Sequence, residues 1–508
     1  MIDFYKKFLK NTSYLCASIK LALMLCFIVA GFFCKPLFIV VCALGCIFII
    51  CENSINSFYI LVSLLPFAFL DFCKVNFLKF SVNFWSIFVL VFVVVLGIKT
   101  FIQFIKKEKH FDYKLCIPFA VFAVYCVISI FRGMPLITVF WVFMWLILFY
   151  LFIANRKDFD LTKGVLFYVF GILLSFIGFF KNSIPSLANE IANYYDDGLL
   201  RFSGLFTNPN RLYFHCIFGM CFIYILCYYG KLKKWWLGLF FPLTFLGIYS
   251  LSKTFWVCFC VLIVIVIVSL LVKVNKQKLL MLLTICVSLF LAITLSFPYA
   301  SALYYRVLPA NNVEQIQQEA SNPGTENNNT EQQNPGSENN NTEQQNPGSE
   351  NNNTEQPNPE NDNENKSDDE ELDNSPKQEF SIDKLTTGRY EIWKQYLKDW
   401  KSSKTTLLFG YGLGSSDILN ENEAHNGYIQ MLYEYGIFGA LIIVGAAIYF
   451  MIHLKVFKKK WFSLGIMPLV IMAMMLMVES LLFTISWIFV MILLSYFITI
   501  NGRDEYGS

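Results

Sequence analysis

An all-α bundle of about 12 to 14 membrane-spanning helices, with one large extracytoplasmic loop, is the fold class this sequence predicts. Three observations predict it. The 508 residues are 56% hydrophobic and only 15% charged, with a mean hydropathy of +0.51, whereas soluble domains carry about 25% charged residues. Apolar runs of about 17 to 25 residues, long enough to cross a hydrocarbon core, recur along the chain. The basic residues between those runs gather on alternate loops. An ordinary soluble globule is excluded.

The candidate spans lie near residues 14–33, 36–51, 55–71, 83–104, 115–131, 136–153, 163–180, 209–229, 235–250, 254–272, 279–297, 429–453, 461–478 and 482–500. The first is not expected to be a cleavable signal peptide, because no small-residue cleavage site follows it and another apolar run begins at once. This divides the chain into an N-terminal bundle over 1–297, a large loop over 298–428, C-terminal transmembrane helices over 429–501 and a tail over 502–508. If the helices alternate, Lys6, Lys7, Lys10, Lys106, Lys107, Lys109, Arg156, Lys157, Lys231, Lys233, Lys234, Lys273, Lys276, Lys278, Lys455 and Lys458 to Lys460 share one side. The positive-inside rule makes that side cytoplasmic. The segment 181–208, the Ser250–Lys253 turn and the large loop then face away from the cytoplasm, and the tail faces into it.

Charge is segregated. The net charge of +3 hides 17 acidic against 2 basic residues between Asn311 and Phe380, a balance of −15 that leaves +18 on the remainder. The same region contains NPGTENNNTEQQ from Asn322, NPGSENNNTEQQ from Asn334 and NPGSENNNTEQP from Asn346. With almost no apolar side chains to bury, residues 311–378 cannot offset chain entropy and read as a disordered, tandem-expanded linker. A polymer-guiding or wall-spanning tail is the functional alternative. Beyond it, residues 384–402 resume a helical period, with Tyr390, Trp393, Leu397 and Trp400 on one stripe and Lys394, Lys398 and Lys401 elsewhere. This predicts an amphipathic helix at the outer membrane surface. The 15 cysteines fall mostly within apolar runs, as with Cys26, Cys42, Cys46, Cys258, Cys260 and Cys286, and lack metal-ligand spacing. They read as small hydrophobes.

Arginine is scarce, 7 residues against 33 lysines, and Arg132, Arg201, Arg211, Arg306 and Arg389 fall on or near the outer side. That placement runs against the positive-inside trend and implies an anionic partner outside. Of the four histidines, His110 and His453 sit in cytoplasmic flanks and His215 lies within a span, as a helix-packing hydrogen bonder. His425 stands at the outer mouth of a helix beside Asn426, either as a solvated cap residue or as a reactive imidazole. Arg389 falls in the first turn of the amphipathic helix if Thr387 is its N-cap. There a guanidinium beside a helix N-terminus suits phosphate, or snorkels to lipid headgroups. FGYGLGSS from Phe409 lacks the strand, helix and Lys-Ser/Thr of a nucleotide loop and reads as a turn.

Three stretches, with a fourth in support, resemble the O-antigen ligase and polysaccharide polymerase superfamily of membrane glycosyltransferases. Arg201-Phe-Ser-Gly204-Leu-Phe206-Thr-Asn208-Pro209-Asn210 is similar to the family's R-x-x-G-x-F-x-N-P-N. Ser250-Leu-Ser252-Lys253-Thr254 resembles its S-x-S-R/K-T turn, with lysine where many members have arginine. Glu423-Ala-His425-Asn426-Gly-Tyr428 with Glu434-Tyr-Gly436-Ile-Phe-Gly439 resembles its A-H-N element, and Gly388-Arg389-Tyr-Glu-Ile-Trp393 its G-R-x-x-x-W. The likeness covers roughly residues 200–450.

The resemblance implies a bundle of GT-C type in a bacterial cytoplasmic membrane, with its active site on the extracytoplasmic side. It implies a polyprenyl-pyrophosphate-linked glycan donor, a sugar hydroxyl acceptor, inversion at the anomeric carbon, and neither cofactor nor metal. His425 and Arg389 become the catalytic candidates, and Lys253, Arg201, Asn210, Asn426 and Tyr428 the pyrophosphate- or glycan-binding ones. Polymerase is the leading activity and ligase the nearest rival. A flippase calls for charged residues buried in several spans, whereas these spans read as almost uncharged. The implied partners are the donor, the acceptor, the bilayer and a chain-length regulator or flippase, with no nucleic acid.

Overall fold

The computed structural model of the protein describes residues 54–64, 74–77, 80–106, 117–130, 158–183, 194–196, 199–206, 208–272, 274–307, 389–412, 424–453 and 462–479, with isolated positions between them. The expected spans at 14–33 and 482–500, nearly all of those at 36–51 and 136–153, and the repeat linker lie outside the described residues.

The described chain is helical apart from two short antiparallel hairpins. The helices are α1 (Ser54–Leu64), α2 (Phe84–Ile105), α3 (Ile117–Ile130), α4 (Leu161–Leu173), α5 (Pro209–Tyr228), α6 (Phe240–Tyr249), α7 (Lys253–Leu271), α8 (Lys276–Val307), α9 (Arg389–Trp400), α10 (Lys404–Phe409), α11 (Gly427–His453) and α12 (Phe462–Leu476). A 3-10 stretch, Leu174–Ser183, prolongs α4, and another, Lys234–Leu239, leads into α6. The hairpins pair Lys74–Phe77 with Phe80–Asn83 and Tyr194–Asp196 with Leu199–Arg201. Among the described residues five helices are long and apolar enough to cross a membrane, within 161–180, 209–228, 253–271, 276–298 and 427–446. The protein is thus a polytopic helical membrane protein.

Helix α5 is the hub. Asn208 caps it by accepting from the Asn210 backbone N–H at 2.8 Å, and Pro209 takes the first helical position, where its missing N–H costs nothing. Every residue from Leu212 to Cys227 is buried, as expected of a helix apolar on all sides. Helices α4, α6, α7 and α12 surround it, and α8 packs on α6. The one imidazole on α5 meets that setting with a partner: Nδ1 of His215 lies 2.6 Å from the Tyr168 hydroxyl, and its ring stacks on Phe206. That is the packing role expected of His215. At the far end of α5, Lys278 donates to the Ser269 carbonyl at 3.0 Å and stands 5.0 Å over the Tyr228 ring. Lys231, Lys233 and Lys234 follow directly after α5. A lysine-rich end and an arginine-bearing end are therefore separated by the length of α5, about 30 Å.

Two expectations need correction. The run 429–453 is not a regular helix throughout, because Gly436 kinks α11 with φ 64° and ψ −171°, a region of backbone space open essentially to glycine alone. Nor are the spans nearly uncharged, since Glu434 lies within α11 and is 1% exposed, with Gln430 Nε2 donating to its Oε1 at 3.2 Å. Backbone carbonyls at membrane depth must find donors, and those ahead of the break find them outside the helix. The Tyr411 and Gly412 N–H groups donate to the Tyr433 and Glu434 carbonyls at 2.8 and 3.0 Å. The Tyr125 hydroxyl of α3 donates to the Tyr435 carbonyl and to that of Phe409. Gly410, with φ 68°, and Gly436 meet back to back.

The glycine-rich stretch after Phe409 opens as a turn, as the sequence suggested, and its Tyr411 and Gly412 N–H groups donate to α11. Helix α9 forms as expected, but the side it buries in protein is Tyr396 and Trp400, packed with Tyr433 and Ala424, while Tyr390, Trp393 and Leu397 of the expected stripe are half-buried.

Candidate functional site

The site lies at the arginine-bearing end of the bundle. Five segments distant in sequence meet there: the loop before α5, the turn between α6 and α7, the start of α9, the entry to α11 and the exit of α12.

Arg201 closes the Leu199–Arg201 strand, and its guanidinium joins two of these segments. Nε donates to the Ser250 carbonyl at 3.0 Å and Nη2 to Asn210 Oδ1 at 2.6 Å. The Phe202 N–H donates to the Tyr249 carbonyl at 3.0 Å, so two successive residues are tied to the end of α6. Gly204, with φ 61°, lets the chain turn from there into α5; a β-carbon on it would lie 2.6 Å from Ser175 Cβ.

Asn210 carries the connection onward, its Nδ2 donating to Glu479 Oε1 at 2.5 Å. Arginine can only donate and carboxylate only accept, so the amide orientation follows from its neighbours. Glu479 ends the turn after α12 and is 7% exposed. Its other oxygen stands 3.9 Å from His425 Nδ1. Arg389, the first residue of α9, donates from Nη1 to the adjacent Val478 carbonyl at 2.7 Å. Thr387, the expected cap, lies outside the described residues.

His425 is held from both sides. Before it, the Ala424 carbonyl accepts from Trp393 Nε1 at 2.8 Å. After it, the Asn426 side chain accepts from the Tyr428 and Ile429 N–H groups at 3.0 and 3.1 Å, capping α11, and donates to the Met477 carbonyl at 3.0 Å. Between these anchors His425 adopts φ 45°, a left-handed conformation uncommon for a residue with a side chain and costing about 1–3 kcal/mol. The imidazole remains partly accessible, with 32% of its side chain exposed. Tyr428 fixes the same corner, its hydroxyl donating to the Ala473 carbonyl at 3.0 Å.

Of the residues singled out in the sequence, Asn210, Arg389, His425, Asn426 and Tyr428 thus meet the last turn of α12 or the residues just after it, and Arg201 joins them through Asn210. Lys253 opens α7, exposed, three positions beyond the carbonyl that Arg201 holds. His215 and the glycine-rich turn belong to packing. The Arg306 and Arg132 side chains lie outside the described residues. Sequence reasoning missed Glu479, whose signal was a lone carboxylate between two apolar runs. Four helices, α5, α7, α9 and α11, begin at this end and present the positive ends of their dipoles to it. Among the described residues no three His, Cys, Asp or Glu side chains gather as a metal-ligand set. Two guanidiniums, a lysine and several helix N-termini share this end of the bundle with one carboxylate and an imidazole, an arrangement whose chemistry suits an anionic ligand.

Fold and site together define a polytopic membrane protein with a cationic, imidazole-bearing site at one end of its bundle. A family model described as O-antigen ligase matches residues 237–444, so this part of the chain is similar to the family that its motifs resemble. The matched segment includes Lys253, Arg389, His425, Asn426 and Tyr428, while Arg201, Asn210 and Glu479 stand outside it. No curated protein and no solved structure matches the chain.

Proposed function

We propose that this protein is a polysaccharide polymerase of the bacterial cytoplasmic membrane, transferring glycan from a polyprenyl-pyrophosphate donor to a sugar hydroxyl on the extracytoplasmic side. The observation that carries this reading is the contact chain from Arg201 through Asn210 to Glu479, with His425 beside that carboxylate and Arg389 on the neighbouring Val478 carbonyl. The family match supports an enzyme of the glycan ligase and polymerase kind. The opposite, lysine-rich end of α5 supports the orientation, by the positive-inside rule.

The donor's anomeric carbon is already activated by its diphosphate. The protein has two tasks, to stabilise the leaving diphosphate and to take a proton from the acceptor hydroxyl. Arg389, Lys253 and Arg201 meet the first, aided by the N-termini of α5, α7 and α9. His425 meets the second. Nε2 serves as the base, with the Glu479 carboxylate 3.9 Å from Nδ1 on the other side of the ring. Asn426 and Tyr428 hold the imidazole's corner and flank the glycan. Attack from the face opposite the diphosphate inverts the anomeric centre, and no step calls on a metal.

Ligation of finished glycan to another acceptor uses the same chemistry. The two activities separate in a strain lacking the protein: attached material limited to single repeat units is the expected result, and long unattached polymer contradicts polymerisation in favour of ligation. Retention of at least half the transfer activity in excess chelator is expected of membranes carrying the wild-type protein. Loss restored only by added divalent ion contradicts the metal-free scheme.

A further inference from the structure

The α6 side of the site carries a feature that phosphate and proton chemistry leave unused. Phe241, Phe245 and Tyr249 recur every fourth residue along α6 and so share one face. Neighbouring rings touch in sequence, with centroids 6.3 Å apart for Phe241 and Phe245 and 4.5 Å for Phe245 and Tyr249. Phe179, from the 3-10 continuation of α4, stands 5.0 Å from Tyr249 and stacks on Phe202 at 4.1 Å. Phe176 stacks on Phe245 at 6.0 Å. None of these rings is fully buried, and Phe179 is 38% exposed.

The row ends at the site. Phe202 follows Arg201 directly, and both are tied by backbone acceptors to the last residues of α6. Aromatic residues that merely anchor a helix gather at one interfacial depth, whereas the α6 rings rise about 12 Å along the helix axis. The exposed face of α7 is different in kind. It is aliphatic, with Val257, Val264, Ile267, Val268 and Leu271 outward. A contiguous aromatic strip leading to a guanidinium fits an amphiphile with an anionic head and a stiff, methyl-branched, unsaturated tail, because flat rigid rings pack on such a chain with little loss of side-chain freedom.

We propose that the aromatic strip from Phe202 to Phe241 is the seat of the isoprenoid chain of the diphosphate donor, with Arg201 marking the passage from tail to head. The inference rests on the donor class proposed above and specifies where its lipid is read. Phosphate selects the head at the bundle's end, and the strip selects an isoprenoid over the acyl chains of the surrounding bilayer.

The test uses the full-length protein in phospholipid nanodiscs with two probes, farnesyl diphosphate and inorganic pyrophosphate. Wild type is expected to bind both, farnesyl diphosphate more tightly. The double variant Phe179→Leu/Phe245→Leu keeps apolar volume but loses the rings. It should lower farnesyl diphosphate affinity about tenfold while leaving pyrophosphate affinity unchanged. An unchanged ratio of the two affinities overturns the strip and leaves the diphosphate reading intact. Binding of neither probe by wild type overturns both. Photolysis of a benzophenone-bearing farnesyl diphosphate on the wild-type protein gives a second readout that no folding defect can disturb. Labels confined to 176–180, 202 and 241–249 support the seat, and labels spread over α7 and α8 overturn it.

Discussion

Replacing His425 by alanine is expected to reduce polymer formation about 10²- to 10⁴-fold while the protein inserts normally, the range that loss of a positioned general base produces. Normal insertion is expected because the imidazole is partly exposed and carries little of the packing around it. Alanine in the left-handed conformation of position 425 is strained as histidine is, so the backbone cost changes little. Arg389→Ala should fall in the same class for a different reason. Its guanidinium acts on charge that develops at the leaving diphosphate, and removing such a donor costs about 10²- to 10³-fold. Arg389→Lys should recover part of the loss, since the charge returns without the planar fork. Quantitative polymer blots against membrane levels of each variant check these outcomes. Wild-type amounts of polymer from both alanine variants would remove His425 and Arg389 from the reaction.

Gly436→Ala is expected to lower stability by about 3–5 kcal/mol, as backbone strain at a glycine-only conformation adds to overpacking. The added methyl would stand 2.4 Å from the Gly410 nitrogen and 2.5 Å from the Leu408 carbonyl oxygen. These are backbone atoms of the turn that feeds donors to α11, and they cannot yield without breaking the Tyr411 and Gly412 hydrogen bonds. Gly445→Ala in the same helix is the control. It has open space where the methyl would go, and it should be neutral or stabilising by up to about 1 kcal/mol. Thermal unfolding in detergent distinguishes the two, and equal effects would mean that the break at Gly436 is not held by the turn. Because His425 stands two residues before α11, Gly436→Ala should also reduce transfer in the protein that remains folded.

The parts of the fold legible beforehand were those that a bilayer imposes. Runs such as 254–272 and 279–297 must be helical because hydrocarbon offers backbone groups no other partners, and the structure places α7 and α8 there. What sequence periodicity could not register was a helix whose carbonyls are satisfied by someone else's donors. Gly436 sits inside an expected span, and only the arrival of Tyr411, Gly412 and Tyr125 from elsewhere in the chain satisfies the carbonyls at its break. Helix α9 was read correctly as amphipathic, but the side it buries, Tyr396 and Trp400, faces Tyr433 and Ala424. A hydrophobic period records that a face is covered and not by what.

The site followed the same division. Arg201 and Arg389 could be singled out because cations outside defy a strong trend, and Asn210, His425 and Asn426 because they fall in motifs. Glu479 could not, because an acidic residue in a short outer turn is ordinary in composition. Its meaning comes from Asn210, 269 residues away in the chain, which donates to it. The same long-range closure explains how Asn426 and Arg389, far apart in sequence, both anchor to the carbonyls of Met477 and Val478.

The most direct test supplies purified protein in nanodiscs with synthetic polyprenyl-diphosphate-linked repeat units and follows glycan length together with release of free lipid diphosphate. Wild type should yield glycans of two or more repeats, one lipid diphosphate freed per bond formed, and an inverted linkage, while Arg201→Ala and His425→Ala yield neither product above background. Extension that proceeds equally well in both variants, or glycans that lengthen with no diphosphate released, would contradict the assignment of transfer to this end of the bundle.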